Sequence, residues 1–162
     1  MSKANISNKK LGDILREKGW VTADQLAKAL ETQLKKGARL GQILIQSGHI
    51  TEDQLAECLA QQMGIPHISM RFHQLDDHIL DIIPQVMVER LRVIPLDHVG
   101  DILTIAISDG LSEGEIAEIE KHSGCRLKFY FTTISDFDYA YEVHYVRRAQ
   151  EAGGSNPQEK VA

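Results

Sequence analysis

The sequence predicts an α+β fold: a tandem helical-hairpin repeat of four helices, followed by a small three-stranded α/β unit. Three observations carry this. A 24-residue stretch occurs twice in the N-terminal half, the signature of a duplicated structural unit. Within each copy the apolar residues recur at helical spacing. After residue 64 the pattern changes to short β-branched runs alternating with helical segments, which is the mark of a mixed α/β unit. The expected organisation is a repeat over 1–64, an α/β subdomain packed on it over 65–148, and a disordered tail over 149–162.

Residues 10–33 read KLGDILREKGWVTADQLAKALETQ, and residues 39–62 read RLGQILIQSGHITEDQLAECLAQQ. Of the 24 aligned positions 12 are identical, and five residues separate the copies. Each copy reads as two helices. Leu11, Ile14 and Leu15, like Leu40, Ile43 and Leu44, fall at i, i+3, i+4 on one face. Gly19 and Gly48 stop the first helix because glycine tolerates the left-handed conformation. Thr22-x-x-Gln25 and Thr51-x-x-Gln54 are capping boxes that open the second. Asp24, Glu52 and Asp53 fit the electropositive first turns. The second helices carry Leu26, Leu30, Gln33 and Leu55, Leu59, Gln62 at i, i+4, i+7, so each glutamine shares a face with two leucines. Trp20 is read as a staple against the next helix.

Beyond Gly64-Ile65-Pro66, residues 67–69 suggest a short strand and residues 81–91 one or two short helices, the second opened near Pro84. The β-branched runs 92–96 and 102–107 flank His98-Val99-Gly100-Asp101 and predict a hairpin. Residues 113–122 predict a helix ended by Gly124, 127–132 a third strand, and 135–148 a final helix with Phe137, Tyr141 and Tyr145 in line. The tail from Glu151 is polar and rich in small residues.

Composition narrows the function. The chain has 162 residues, 43% of them hydrophobic and 25% charged, an ordinary globular balance. No apolar stretch is long enough for a transmembrane helix, and no secretory signal is expected. Cys58 and Cys125 fit a reducing cytoplasm better than a disulfide scaffold. A net charge of −5 argues against DNA as a partner. No G-x-x-x-x-G-K-[ST] phosphate loop is present, so no ATPase activity is expected. His73, Asp76, Asp77, His78 and Asp81 match no metal-site spacing, and no metal is expected. No nucleophile elbow is visible, so no catalytic residues are assigned.

The duplicated corner has its own chemistry. A Lys/Arg-Leu-Gly start joins a positive charge (Lys10, Arg39) to a residue without a side chain (Gly12, Gly41), which lets a ligand approach the backbone. Free N–H groups at a helix start favour phosphate. An arginine fork can bind the N7/O6 edge of guanine. The leucines offer apolar surface to bases and sugars, and Gln33 and Gln62 can donate and accept. Two matched corners suit a ligand that is itself twofold-symmetric. The alternative for the same residues is plain: leucines at helical spacing form cores, and the Leu-Gly pairs serve tight helix packing.

The tandem pattern (R/K)-L-G-x-x-L-x-x-x-G-x-(V/I)-x-x-x-x-L-x-x-x-L-x-x-Q, repeated across a five-residue spacer, resembles the MshEN domain. That domain is the N-terminal module of many type II secretion and type IV pilus assembly ATPases. Gln62-Met63-Gly64-Ile65-Pro66, Ile83-Pro84, Val93-Ile94-Pro95-Leu96, Leu103 to Asp109 and His144-Tyr145 extend the resemblance over residues 9–146. It implies a receptor for cyclic di-GMP with no cofactor and no metal. Lys10 and Arg39 would contact guanine edges or phosphates. Leu11, Leu26, Leu30, Leu40, Leu55 and Leu59 would pack on bases and riboses. Gly12 and Gly41 would permit close approach, and Gln33 and Gln62 would hydrogen-bond. Asp109 is a further candidate for a guanine N1/N2 edge, beside its simpler role as a turn or cap residue.

Two departures from the family pattern stand out. Lys10 occupies a position usually held by arginine and lacks the planar fork. Gly110 stands where proline is common. The expectation is a non-catalytic, cytoplasmic cyclic di-GMP module whose two helix pairs clamp the ligand, with a protein partner in a secretion, pilus or signalling assembly and no membrane insertion. The alternative is a protein-docking module with a degenerate nucleotide pocket, linking a secretion or pilus ATPase-like system to its assembly platform.

Overall fold

A computed structural model of the chain describes residues 9–153. They form two compact units that divide between His67 and Ile68.

The first unit contains α1 (Leu11–Glu17), α2 (Ala23–Lys36), α3 (Leu40–Gln46) and α4 (Glu52–Met63). The two copies follow the same local path. Lys10 and Arg39 are the N-cap residues of α1 and α3, with φ/ψ of −69°/150° and −70°/137°. Gly19 and Gly48 both sit at φ 71°, a conformation that a side chain would strain. Both capping boxes form, with Gln25 N–H donating to Thr22 Oγ1 at 3.2 Å and Gln54 N–H to Thr51 Oγ1 at 3.1 Å.

One core serves both copies. Ile14, Leu15, Val21 and Ala29 are buried together with Ile43, Leu44, Ile50 and Cys58, and these are four pairs of equivalent residues, each 29 positions apart. Helix α1 packs on α4 and α2 on α3, so each copy's first helix lies on the other copy's second. The copies interlock. A clamp that swings at the junction of two hairpins would have to expose Leu15 and Leu44, both fully buried, at about 1.5–3 kcal/mol per side chain. Trp20 packs against this core, as its position beside the glycine cap suggests. Lys18 Nζ lies 4.8 Å from its ring centroid and donates to Glu57 at 2.8 Å, tying the end of α1 to α4.

The second unit contains α5 (Asp77–Leu80), α6 (Gln85–Leu91), β1 (Val93–Val99), β2 (Ile102–Ile107), α7 (Glu113–Ser123), β3 (Arg126–Phe131), α8 (Ile134–Tyr141), a π turn over Glu142–Val146, and α9 (Arg147–Gly153). The sheet order is β1-β2-β3. β1 and β2 form the expected antiparallel hairpin, turned at Gly100 with φ 61°. β2 and β3 run parallel, with α7 as the crossover. Pro95 is tolerated because β1 is an edge strand, and the register shifts just after it.

Asp136 holds the loop before α5 in place. It is buried, and its carboxylate accepts from Ser69 Oγ at 2.7 Å, Met70 N–H at 2.9 Å and Arg71 Nε at 3.0 Å. Thr133 caps the same helix through Asp136 N–H at 2.9 Å.

Three expectations change. The strand predicted at 67–69 reduces to one hydrogen bond, from Ile68 N–H to the Phe131 carbonyl at 2.8 Å. The final helix is interrupted by the π turn. In a regular α-helix a step of four overshoots a full turn by about 40°, so a third ring would drift off the Phe137–Tyr141 line. The wider π turn takes that drift back, and the rings stack at 5.9 and 5.5 Å. Helix α9 also carries the chain to Gly153, so residues 149–153 of the expected tail are helical. Residues 154–162 lie outside the described residues.

Two outcomes follow from this packing. Cys58 is fully buried, and burial pushes its thiol from 9.0 up to about 11. A raised folded-state value means the thiol stabilises the fold below about pH 9 and loses that contribution on the way to pH 11, about 2–3 kcal/mol in all. Cys58→Ala, which copies the equivalent Ala29, should remove this part of the alkaline decline in melts between pH 8 and 11; identical pH profiles would contradict it. Asp136→Ala strands the Met70 N–H and should cost about 2–4 kcal/mol in urea unfolding, against less than about 1 kcal/mol for the exposed Asp138→Ala.

Candidate functional site

The predicted ligand residues of the repeat lie on the four helices of the first unit. Lys10 and Arg39 are exposed, and neither side chain caps its helix. Leu11 and Leu40 are half-buried and pack on the shared core. They therefore serve the fold with one face and leave part of the other to solvent.

Gly12 and Gly41 are buried. A Cβ on Gly12 would stand 3.0 Å from both terminal carbons of Leu26, and one on Gly41 would stand 2.7 and 2.8 Å from those of Leu55. The close approach that each glycine permits is thus made by a leucine 14 residues on, within the same copy. The sequence left this open as the packing alternative. In this conformation the space beside each glycine is filled, and a ligand would meet Leu26 and Leu55 rather than bare backbone.

The two copies differ at the surface. Leu30 is 42% exposed, whereas its equivalent Leu59 is half-buried. Leu34, one turn beyond Leu30, is 88% exposed and extends the apolar stripe of α2 into the spacer. Its i+4 spacing from Leu30 is the signal that marks it, though the motif ends one residue before. Gln33 and Gln62 are both half-buried. Gln62 Nε2 donates to the Lys9 carbonyl at 3.1 Å, so the end of α4 meets the start of the first motif. That contact brings Gln62 of one copy beside Lys10 of the other, and the sequence alone did not pair them.

Asp109 belongs to the second unit, where its Oδ1 accepts from Gly110 N–H at 2.9 Å. Nothing lies within 4 Å of a Cβ built on Gly110, so the missing proline is not a steric necessity. Asp76 caps α5 through His78 N–H at 2.9 Å. Asp81 pairs with Arg148 at 2.9 and 3.1 Å, and that guanidinium holds its carboxyl below the usual range.

Chemically, the repeat offers two exposed cations at equivalent positions, partly exposed leucines on the same four helices, and two amides. Such a surface suits an anionic ligand with flat apolar faces. No helix of the described residues is long and apolar enough to cross a membrane.

Comparison with known proteins gives a consistent result. The chain is 29% identical over 147 residues to the type IV pilus assembly ATPase PilB of Thermus thermophilus, and 26% identical over 139 residues to PilB of Myxococcus xanthus. Those matches take in 90% and 86% of this chain but only 16% and 25% of the two ATPases. The solved structure of MshE with cdg is 32% identical, covers 85% of this chain and 100% of that chain, and superposes with a TM-score of 0.74. The N-terminal domain of XpsE shares the fold at 19% identity, with a TM-score of 0.60 over 82% of this chain and 91% of that one. The sequence model of the MshEN domain matches residues 63–151, more than half of the chain. It begins at the end of α4, so the duplicated motif is reached by the PilB and MshE alignments instead. On these matches the chain belongs to the MshEN domain family of pilus and secretion ATPases.

Proposed function

We propose that the chain is a non-catalytic, cytoplasmic receptor module that binds cyclic di-GMP through its repeated motif. The observation that carries this reading is the equivalence of the two motif corners. Lys10 and Arg39 sit at matching N-caps with nearly the same backbone angles, on helices that share one core. A dinucleotide with two guanines and two phosphates asks for such a pair. The likeness to MshE, solved with cdg, supports the same ligand.

The roles follow from side-chain chemistry. Arg39 offers a fork for a guanine edge or a phosphate, and Lys10 a single ammonium. Leu11, Leu26, Leu30, Leu40, Leu55 and Leu59 supply apolar contact to bases and riboses. Gln33 and Gln62 supply hydrogen bonds. Gly12 and Gly41 act one step removed, by letting Leu26 and Leu55 lie flat on α1 and α3. Because the copies share a core, binding is to a cradle already formed, and ligand affinity is not spent on closing a hinge.

The PilB relatives are ATPases, but this sequence holds no phosphate loop, and no reaction is assigned to it. Two free, buried cysteines suit a reducing cytoplasm. A protein partner within a pilus or secretion assembly fits the relatives' names. One observation favours the rival reading, a docking module with a degenerate pocket: Leu34, one turn beyond Leu30 on α2, is 88% exposed and extends an apolar stripe at the surface.

Calorimetry on the whole chain separates these readings. Cyclic di-GMP should bind in preference to cyclic di-AMP and GTP. Arg39→Ala should weaken binding about tenfold or more, the value of one good bidentate contact. Lys10→Arg should tighten it about threefold or more by restoring a fork. Absent binding at high micromolar ligand, or affinity unmoved by Arg39→Ala, would end the receptor reading. Capture of a pilus or secretion protein without regard to nucleotide would then favour docking.

A further inference from the structure

Each second helix of the repeat carries its candidate site residues at two places. Leu26 on α2 reaches within 3.0 Å of where a Cβ on Gly12 would stand, so it belongs to the corner that begins at Lys10. Leu55 on α4 lies in the same way on Gly41, at the corner that begins at Arg39. Gln33 and Gln62 follow seven residues later, about 10 Å along the helix. That length carries each glutamine away from its own copy's corner. On α4 the far end is fixed, because Gln62 Nε2 donates to the Lys9 carbonyl at 3.1 Å, next to Lys10 of the other copy. On α2 the far end turns back through Gly37, left-handed at φ 66°, and leads within two residues to Arg39. The packing of α1 on α4 and of α2 on α3 places both far ends alike. Each second helix therefore runs from one corner to the other, with a leucine at its own copy's corner and a glutamine at the opposite one.

Leu34 stands at the far end of α2, directly after Gln33. It is 88% exposed, whereas its equivalent Met63 at the end of α4 is half-buried. It also continues the stripe of Leu26 and Leu30, so the apolar surface of the candidate site does not stop where the repeated motif stops. Residues 34–39 read LKKGAR, three cations and no acid, of which Lys35 pairs with Glu31 at 2.7 Å. An exposed leucine among cations suits an anionic ligand that presents a flat apolar face, and covering it removes apolar area from water.

We infer that the nucleotide site is wired across the two copies: Arg39 acts together with Gln33 and Leu34, Lys10 acts together with Gln62, and Leu34 is a binding residue outside the repeated motif. Each half of the dinucleotide is then held by a first helix of one copy and a second helix of the other. Leu34 lies against the face of the base whose edge or phosphate Arg39 holds. This wiring rests on the receptor reading and adds to it which residues share each half of the ligand. The docking reading claims the same leucine for a protein instead.

Double-mutant cycles read by calorimetry with cyclic di-GMP on the whole chain test it. All the side chains changed are exposed or half-buried, and a thermal melt of each variant checks that it folds. Arg39→Ala combined with Gln33→Ala, and Lys10→Ala combined with Gln62→Ala, should each lose less affinity than the product of the single losses, by about twofold or more. The pairs within one copy, Lys10→Ala with Gln33→Ala and Arg39→Ala with Gln62→Ala, should multiply. Leu34→Ser should weaken binding by about threefold or more, with a smaller effect in the Arg39→Ala background, and Leu34→Met should restore it. Coupling within the copies, coupling in no pair, or affinity unmoved by Leu34→Ser overturns the wiring while the receptor reading stands. Absence of binding by the unaltered chain ends both.

Discussion

The terminal carbons of Leu55 lie 2.7 and 2.8 Å from where a Cβ on Gly41 would stand, and those of Leu26 stand 3.0 Å from the same point on Gly12. The side chains of Leu26 and Leu55 can lie against α1 and α3 only because those positions are bare. The rest of the unit hangs on these two contacts. They adjoin the buried cluster that holds Ile14, Leu15, Ile43 and Leu44, on which Leu55 packs, and they lie one residue inside the helix starts that carry Lys10 and Arg39 on their N-caps. A glycine that first reads as an opening for a ligand is, one level down, the reason the cradle has its shape.

Much of this was legible in the sequence. The duplication, the four helices and their caps, the hairpin and the third strand all rest on local patterns: apolar spacing, Thr-x-x-Gln boxes and glycines at φ near 70°. What was not legible depends on contacts between distant residues. No local pattern shows that α1 packs on α4 and α2 on α3, because both helices of each pair carry the same apolar stripe. Gln62 reaching the Lys9 carbonyl spans 53 residues. The π turn was hidden because Phe137, Tyr141 and Tyr145 fit an ordinary helix over two steps of four; only their stacking demands the wider turn. Candidate site residues were identifiable by type, but whether a leucine faces core or solvent is settled by tertiary packing.

The doubled unit is more symmetric inside than outside. Equivalent core positions match in kind, with Ala29 and Cys58 as the one change of type. At the surface, Lys10 answers Arg39, Trp20 answers His49, and Leu34 answers Met63. Close packing penalises divergence in the core and leaves the surface free. A twofold ligand on this unit would therefore meet two unequal halves. The arginine half offers directed, paired donors and the lysine half a hydrated point charge, so orientation and affinity would rest mainly on the former.

The chain is acidic overall, at −5, yet at physiological salt charges more than about 8 Å apart are largely screened. Local groups then decide what binds. On the repeat the exposed groups at the motif corners are cations, which an anionic dinucleotide can satisfy and an amine cannot. Beside the π turn the guanidinium of Arg148 is already held by Asp81 at 2.9 and 3.1 Å, so that cation is spent inside the fold, whereas the corner cations of the repeat stand exposed.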